Sequence, residues 1–192
     1  MTNNKFLYEK IRSLRSHGVN KNEKIDRKKG LWFYQMNCLG FNYRLPDLNC
    51  ALGVSQLKKL DNFVKQRRKI AKIYDKEFLN FEYLKTPHEN ENSYHAYHLY
   101  PIRINFKKLQ IDKKEFFINL FKSGIKLQVH YIPVFYQPYY KKNFKFNFKN
   151  FTNSINHYNE EVSLPIYPNL HLKEIKRVVK TIKKYLINNY QK

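Results

Sequence analysis

From Pro46 to about residue 79 the chain keeps a helical spacing of apolar residues, and after Gly53 neither glycine nor proline interrupts it. Proline suits a first helical turn, where its missing N–H costs nothing, and Asp47 suits the positive end of the helix dipole. Leu48, Leu52, Leu60, Val64, Ala71, Tyr74 and Phe78 then recur at roughly the period of one helix face. A helix of about 33 residues is about 50 Å long. A compact chain of 192 residues has a radius of gyration of only about 16 Å. One end of such a helix therefore lacks a partner within this chain, as in helices that join domains or pair with another chain. The competing reading is a break near Gly53 with local packing.

The flanks differ from each other. Residues 5–16 read as a short helix with Leu7, Ile11 and Leu14 on one face and Gly18 just past its end. Residues 19–38 form a basic loop in which Gly30 precedes an aromatic knot at Trp32, Phe33 and Tyr34. After Pro87 the pattern becomes that of a small α/β domain. Residues 94–106 are aromatic and β-branched and predict a strand. Asp112 and Glu115 make a capping-box pattern before Phe116, Phe117, Leu120 and Phe121, and Gly124 ends that helix. Residues 125–132 alternate and predict a second strand, stopped by Pro133. An aromatic loop from Phe135 to Phe151, a short helix over 153–161 and the extended piece SLPIYP follow. Leu172, Ile175, Val179, Ile182 and Leu186 mark an amphipathic C-terminal helix. The expected division is 1–45 as part of another domain, 46–80 as a long connecting helix, and 81–192 as a small α/β domain.

Composition bounds the function classes. Hydrophobic content of 42% supports a packed core, and the 17% aromatic content is nearly all Tyr and Phe. The net charge of +22 would suit nucleic acid or an anionic membrane. However, the basic residues are 29 Lys against 8 Arg, spread through every segment and accompanied by 22 Asn. Phosphate and groove readers favour the forked arginine side chain. The charge therefore argues for solubility rather than for a nucleic-acid partner. Cys38 and Cys50 form no CxxC pair, and no His cluster has zinc-site spacing, so they read as reduced thiols of a cytoplasmic protein with no metal site. The N-terminus MTNNKFLYEK lacks an apolar signal-peptide core, and no run is long enough to span a bilayer.

Several blocks carry a family resemblance: LYEKIRSLRSHG at 7–18, GFNYRLPDLNCALGVSQLKKLD at 40–61 and QRRKIAKIYD at 66–75. HLYPIRI, KSGIKLQVHYIPVFYQPYY and SLPIYPNL follow in the same order. Together they resemble the DegT/DnrJ/EryC1/StrS aminotransferases over nearly the whole chain, and several blocks in one order are more specific than any single motif. The resemblance implies the C-terminal part of a fold-type-I enzyme dependent on pyridoxal 5'-phosphate (PLP): residues 1–45 from the large cofactor-binding domain, the long connecting helix, and the small C-terminal α/β domain. It implies a homodimer that moves an amino group from glutamate to a 4-keto-6-deoxy sugar nucleotide, UDP-linked, for pseudaminic acid or a related surface glycan.

In that family a lysine holds the cofactor covalently and acts as general base and acid. It lies upstream of a strand whose end Thr2 and Asn3 resemble, so no catalytic residue carries over onto this chain. Asn42, in the G-x-N-x-R pattern, carries over as a donor to the PLP phosphate across the dimer interface, and it could also cap the helix starting at Pro46. Arg44 reads as a structural or interface ion-pair residue. His130 and Tyr131 resemble positions near the sugar-nucleotide pocket, with cross-strand packing as their other reading. His98 reads as a core histidine within a strand. Two further expectations compete with a fragment inactive alone or needing a missing N-terminal half. One is a non-enzymatic dimerisation or sugar-nucleotide-binding module, and the other is a basic nucleic-acid binder.

Overall fold

The computed structural model describes residues 2–20, 30 and 32–190, so most of the expected loop at 19–38 lies outside the described residues. The chain divides into two compact units, Met1–Lys58 and Lys59–Lys192.

In the first unit, α1 (Lys5–Leu14) starts at Asn4, whose side chain accepts the Leu7 N–H at 3.1 Å. The helix stops through His17 and Gly18, both in the left-handed region, with the Gly18 N–H returning to the Ser13 carbonyl at 2.9 Å. Glycine is required here for a second reason: a Cβ at position 18 would lie 1.8 Å from the Cys38 carbonyl oxygen. β1 (Val19–Asn20) pairs antiparallel with β2 (Gln35–Met36), and Ser16 bridges Asn42. α2 (Asp47–Leu57) follows and buries none of its residues.

The expected single helix over 46–80 is two helices, α2 and α3 (Leu60–Phe78). The helix gives way to a turn at Lys58 and Lys59, where the Lys58 N–H still reaches the Val54 carbonyl at 3.3 Å and Lys59 has a flattened φ/ψ of −98°/−8°. It does not give way at Gly53, whose Cβ position faces open space. An exposed helical glycine costs about 1 kcal/mol but need not break a helix. The turn coincides with a change in surroundings. Leu48 and Leu52 are exposed, whereas Ile70, Ala71, Tyr74 and Phe78 of α3 are buried.

The second unit is built on an antiparallel sheet ordered β3 (Leu84–Lys85), β4 (Tyr100–Ile104), β5 (Glu161–Leu164). Tyr100 pairs with Leu164 and Ile102 with Val162. Tyr100, Ile102 and Ile104 alternate into the core, as a half-covered strand demands. α4 (Phe106–Leu109), α5 (Lys113–Lys122), α6 (Pro138–Asn143), α7 (Thr152–Glu160) and α8 (Leu172–Tyr190) complete the unit. α8 packs on α3 and α5 through Ile175, Val179, Ile182 and Leu186. The Asp112 carboxylate caps α5 by accepting the Glu115 N–H at 2.8 Å, and Gly124 (φ +74°) ends it.

Two expected strands are revised. The strand over 94–106 is confined to Tyr100–Ile104, because residues 91–99 form an irregular loop tied down by side chains. The strand over 125–132 does not form. Its backbone meets β5 only at Gln128, which exchanges hydrogen bonds with Ser163, and two residues later the His130 N–H turns to a side chain instead. Alternation is present there, but the neighbouring strand presents the Glu161 carboxylate as acceptor where a main-chain carbonyl would have continued the ladder. None of the described helices is long and apolar enough to cross a membrane.

Candidate functional site

Asn42 lies in the short stretch that runs beside the end of α1. His17 N–H reaches the Phe41 carbonyl and Tyr43 N–H the Arg15 carbonyl, both at 2.9 Å. These bonds fix the Asn42 backbone and leave its side chain exposed. The capping role does not hold: α2 begins at Pro46 with no side-chain cap. Nearby, Arg12, Arg15, Arg44 and His17 line a cleft of about 920 Å³ together with Glu9. Arg44 forms no ion pair among the described residues of this chain, which leaves the interface part of its expected role open. Guanidinium groups and an exposed amide are a donor set that suits a phosphate, which accepts only.

In the second unit, His130 and Tyr131 sit where the segment after α5 leaves β5. The side chain of His130 is half-buried, and its ring meets that of Tyr131 edge-on at 4.7 Å. Tyr131 is 73% exposed, so the cross-strand packing reading fails for it. The peptide between them is cis. Beneath them lies a polar cluster absent from the sequence reading. Glu161 is wholly buried, and its carboxylate accepts the His130 N–H at 2.9 Å and the Ser163 hydroxyl at 2.6 Å. The same hydroxyl lies 2.8 Å from His130 Nδ1. Lys113 is close enough for its charge to feel Glu161, and burial pulls its ammonium below the usual lysine range. Its Nζ donates to the Tyr158 carbonyl at 2.5 Å.

Tyr131 also borders an apolar cleft of about 560 Å³ with Pro133, Phe135, Phe151 and His157. The aromatic loop forms its wall: Phe135 is buried, with the Phe151 and Tyr136 rings each 4.8 Å away. A second cleft, of about 460 Å³, is lined by Phe63, Arg67, His98 and Tyr167. His98 is exposed in a bend outside any strand, which overturns its core assignment. Arg67, within the block at 66–75, reaches the carbonyls of Tyr97, His98 and Ile166 at 2.9–3.1 Å and holds that cleft's rim. One sequence signal could have revealed Glu161: it is the lone charge opening the EVSL strand. Among the described residues, no three His, Cys, Asp or Glu side chains gather at metal-binding distance.

Known proteins resemble this chain over nearly its whole length. The DegT/DnrJ/EryC1/StrS aminotransferase family matches residues 1–183. An uncharacterised protein of Methanocaldococcus jannaschii, MJ1066, is 38% identical over 189 residues, covering 98% of this chain and 49% of that protein. A UDP-4-amino-4,6-dideoxy-N-acetyl-beta-L-altrosamine transaminase of Campylobacter jejuni is 40% identical over 182 residues, covering 95% of this chain and 46% of that one. The solved structure of PseC from Helicobacter pylori, an aminotransferase involved in the biosynthesis of pseudoaminic acid, matches with a TM-score of 0.80 at 30% identity. It covers 97% of this chain and 48% of that one. The chain thus spans about half the length of the relatives it matches. Its sequence and its fold agree on one conclusion: the chain belongs to the DegT/DnrJ/EryC1/StrS aminotransferase family.

Proposed function

We propose that this chain is the C-terminal part of a PLP-dependent aminotransferase that moves an amino group from glutamate to a UDP-linked 4-keto-6-deoxy sugar in the cytoplasm. In this reading the cofactor lysine is supplied by a polypeptide segment outside these 192 residues, and the chain alone is inactive. The observation that carries the reading is the match of nearly the whole chain to half of a 4-amino-sugar transaminase. The exposed apolar residues of the first unit support it: Phe6, Leu7 and Ile11 on α1, and Leu48, Leu52 and Leu57 on α2. Such a surface is the kind that a further domain or a second subunit covers.

The chain's own residues would contribute in two places. Asn42 would donate its amide to the PLP phosphate of a partner subunit, neutralising nothing but satisfying an acceptor, with Arg12, Arg15 and Arg44 supplying positive charge nearby. His130 and Tyr131 would contact the sugar nucleotide. The cofactor, when bound, supplies the electron sink for amino transfer. A second reading is a stand-alone dimerisation or sugar-nucleotide-binding module. It is favoured by the closed core of the second unit, which needs no residue before Ile70.

Expressing the chain alone and together with the remaining half of the Campylobacter relative separates the two. The proposal expects PLP absorbance and amino transfer only in the pair. Transfer by the chain alone, or none by a soluble pair, would sink it. A sugar nucleotide held tightly by the chain alone, without PLP, would favour the module.

A further inference from the structure

We propose that Glu161 and Ser163 set the tautomer of His130, placing its proton on Nδ1 and holding Nε2 open to accept a hydrogen bond from a hydroxyl-bearing ligand. The ligand half of this inference rests on the reading that His130 faces the sugar nucleotide; the tautomer half does not.

The argument is one of donors and acceptors. Glu161 is wholly buried on β5, and its two oxygens each take one proton donor: Oε2 the His130 N–H, Oε1 the Ser163 hydroxyl. An ionised carboxylate can only accept. Ser163 has one hydroxyl proton, and the 2.6 Å contact to Glu161 uses it. Its remaining capacity is a lone pair, and 2.8 Å away stands His130 Nδ1. Nδ1 must therefore be the donor in that contact. A neutral imidazole with Nδ1–H carries its lone pair on Nε2. Ser163 cannot easily turn away, because its backbone N–H and carbonyl both bond to Gln128, at 2.8 and 3.4 Å.

The opposite arrangement needs a proton on Glu161, donated to Ser163 and passed on to Nδ1, which would leave Nε2 as the donor. The geometry opposes it: the His130 main-chain N–H already points at the carboxylate, and a hydrogen bond of that kind favours the charged form. Among the described residues Nε2 has no protein partner, so it is the atom left for a ligand. An accepting Nε2 pairs with a hydroxyl and gives no bond to a keto oxygen, so it would orient a sugar by a hydroxyl rather than by its carbonyl. Glu161 and Ser163 are in this sense positioning residues, since they act through His130.

The test uses the full 192-residue chain labelled with ¹⁵N-histidine, read by long-range ¹H–¹⁵N correlation at neutral pH, with His130→Gln to assign the signals. The expected spectrum shows a protonated Nδ1 and a lone-pair Nε2 for His130. Ser163→Ala is expected to move the proton to Nε2, and Ser163→Thr, which keeps the hydroxyl, to retain the native tautomer. A native His130 protonated on Nε2 overturns the proposal whether or not the variants fold, as does an unchanged tautomer in a folded Ser163→Ala. Titrating UDP-N-acetylglucosamine into the labelled chain paired with the remaining half of the Campylobacter relative then tests the ligand half. A shift of the Nε2 signal supports it. A fixed Nε2 signal alongside the native tautomer overturns the ligand half and the sugar-nucleotide reading of His130, and leaves the Glu161–Ser163 relay standing.

Discussion

Glu89 ties the irregular loop before β4 to α3. Its carboxylate takes a forked pair of bonds from Arg68 at 2.5 and 3.1 Å, the His95 N–H at 2.7 Å and the Tyr97 hydroxyl at 3.2 Å. The bond from Arg68 is the largest of the influences that hold this carboxyl down at about 2, with the His95 N–H next. A carboxylate depressed on folding adds stability above its unfolded value near 4.5, and that contribution is lost as pH falls toward about 2. Urea unfolding at pH 6 should therefore show Glu89→Gln less stable than the native chain, and the gap should narrow at pH 3. An equal gap at both values would refute the linkage. Tyr100 offers a second test. Its buried hydroxyl donates to Asp75 at 2.5 Å, and burial foremost, then Asp75, drives the phenol upward. Tyr100→Phe keeps the ring and loses only a hydrogen bond to a charged group, so it should cost about 1.5 kcal/mol in urea unfolding. The sequence places Tyr100 in an expected strand by its aromatic and β-branched surroundings, without marking it as buried. It gives no sign of Glu89, because the partner lies 21 residues away on α3.

At the level of elements, local signals and tertiary partners can be told apart. α5 is legible from its caps alone: Asp112 accepts the Glu115 N–H and Gly124 closes the helix, as the pattern predicts. Asp112→Ala should lower stability by about 1 kcal/mol, measured by thermal or urea unfolding. α2 is the opposite case. Its apolar residues keep helical spacing yet are exposed, Leu48 by 81%. Replacing Leu48 and Leu52 together by lysine should change the stability of this chain by no more than about 0.5 kcal/mol, while light scattering shows less self-association. A marked loss of stability would mean that this face is covered within the chain. The segment 125–132 shows why alternation is not enough. Whether it becomes a strand depends on what β5 offers it, and β5 offers one backbone pair at Ser163 and then a carboxylate.

Across the whole molecule, burial is uneven. Among the described residues the hydrophobic core runs from Ile70 to Leu186, all in the second unit, while the first unit buries little beyond Ser13 and Gly18. Stability should therefore reside in Lys59–Lys192. A chain of residues 59–192 should keep the urea midpoint of the full chain, and hydrogen exchange should show slow amides in α3, β4, β5 and α8 and fast ones in α1 and α2. Cooperative protection of α1 and α2 at the level of α3 would contradict this. The family and its order of blocks were legible across the chain because several motifs recur at fixed order, and the match to residues 1–183 agrees with them.

By itself the sequence determined the family, the helices with clear caps and spacing, and the presence of a strand within residues 94–106. These depend on residues close together in the chain, where backbone geometry and side-chain chemistry act locally. Only the tertiary structure decided that the long apolar run is two helices and that 125–132 is not a strand. The same holds for the exposure of His98 in a bend and for the seating of His130 on Glu161 and Ser163. Those outcomes turn on which groups from distant segments meet, and on where buried donors and acceptors find partners.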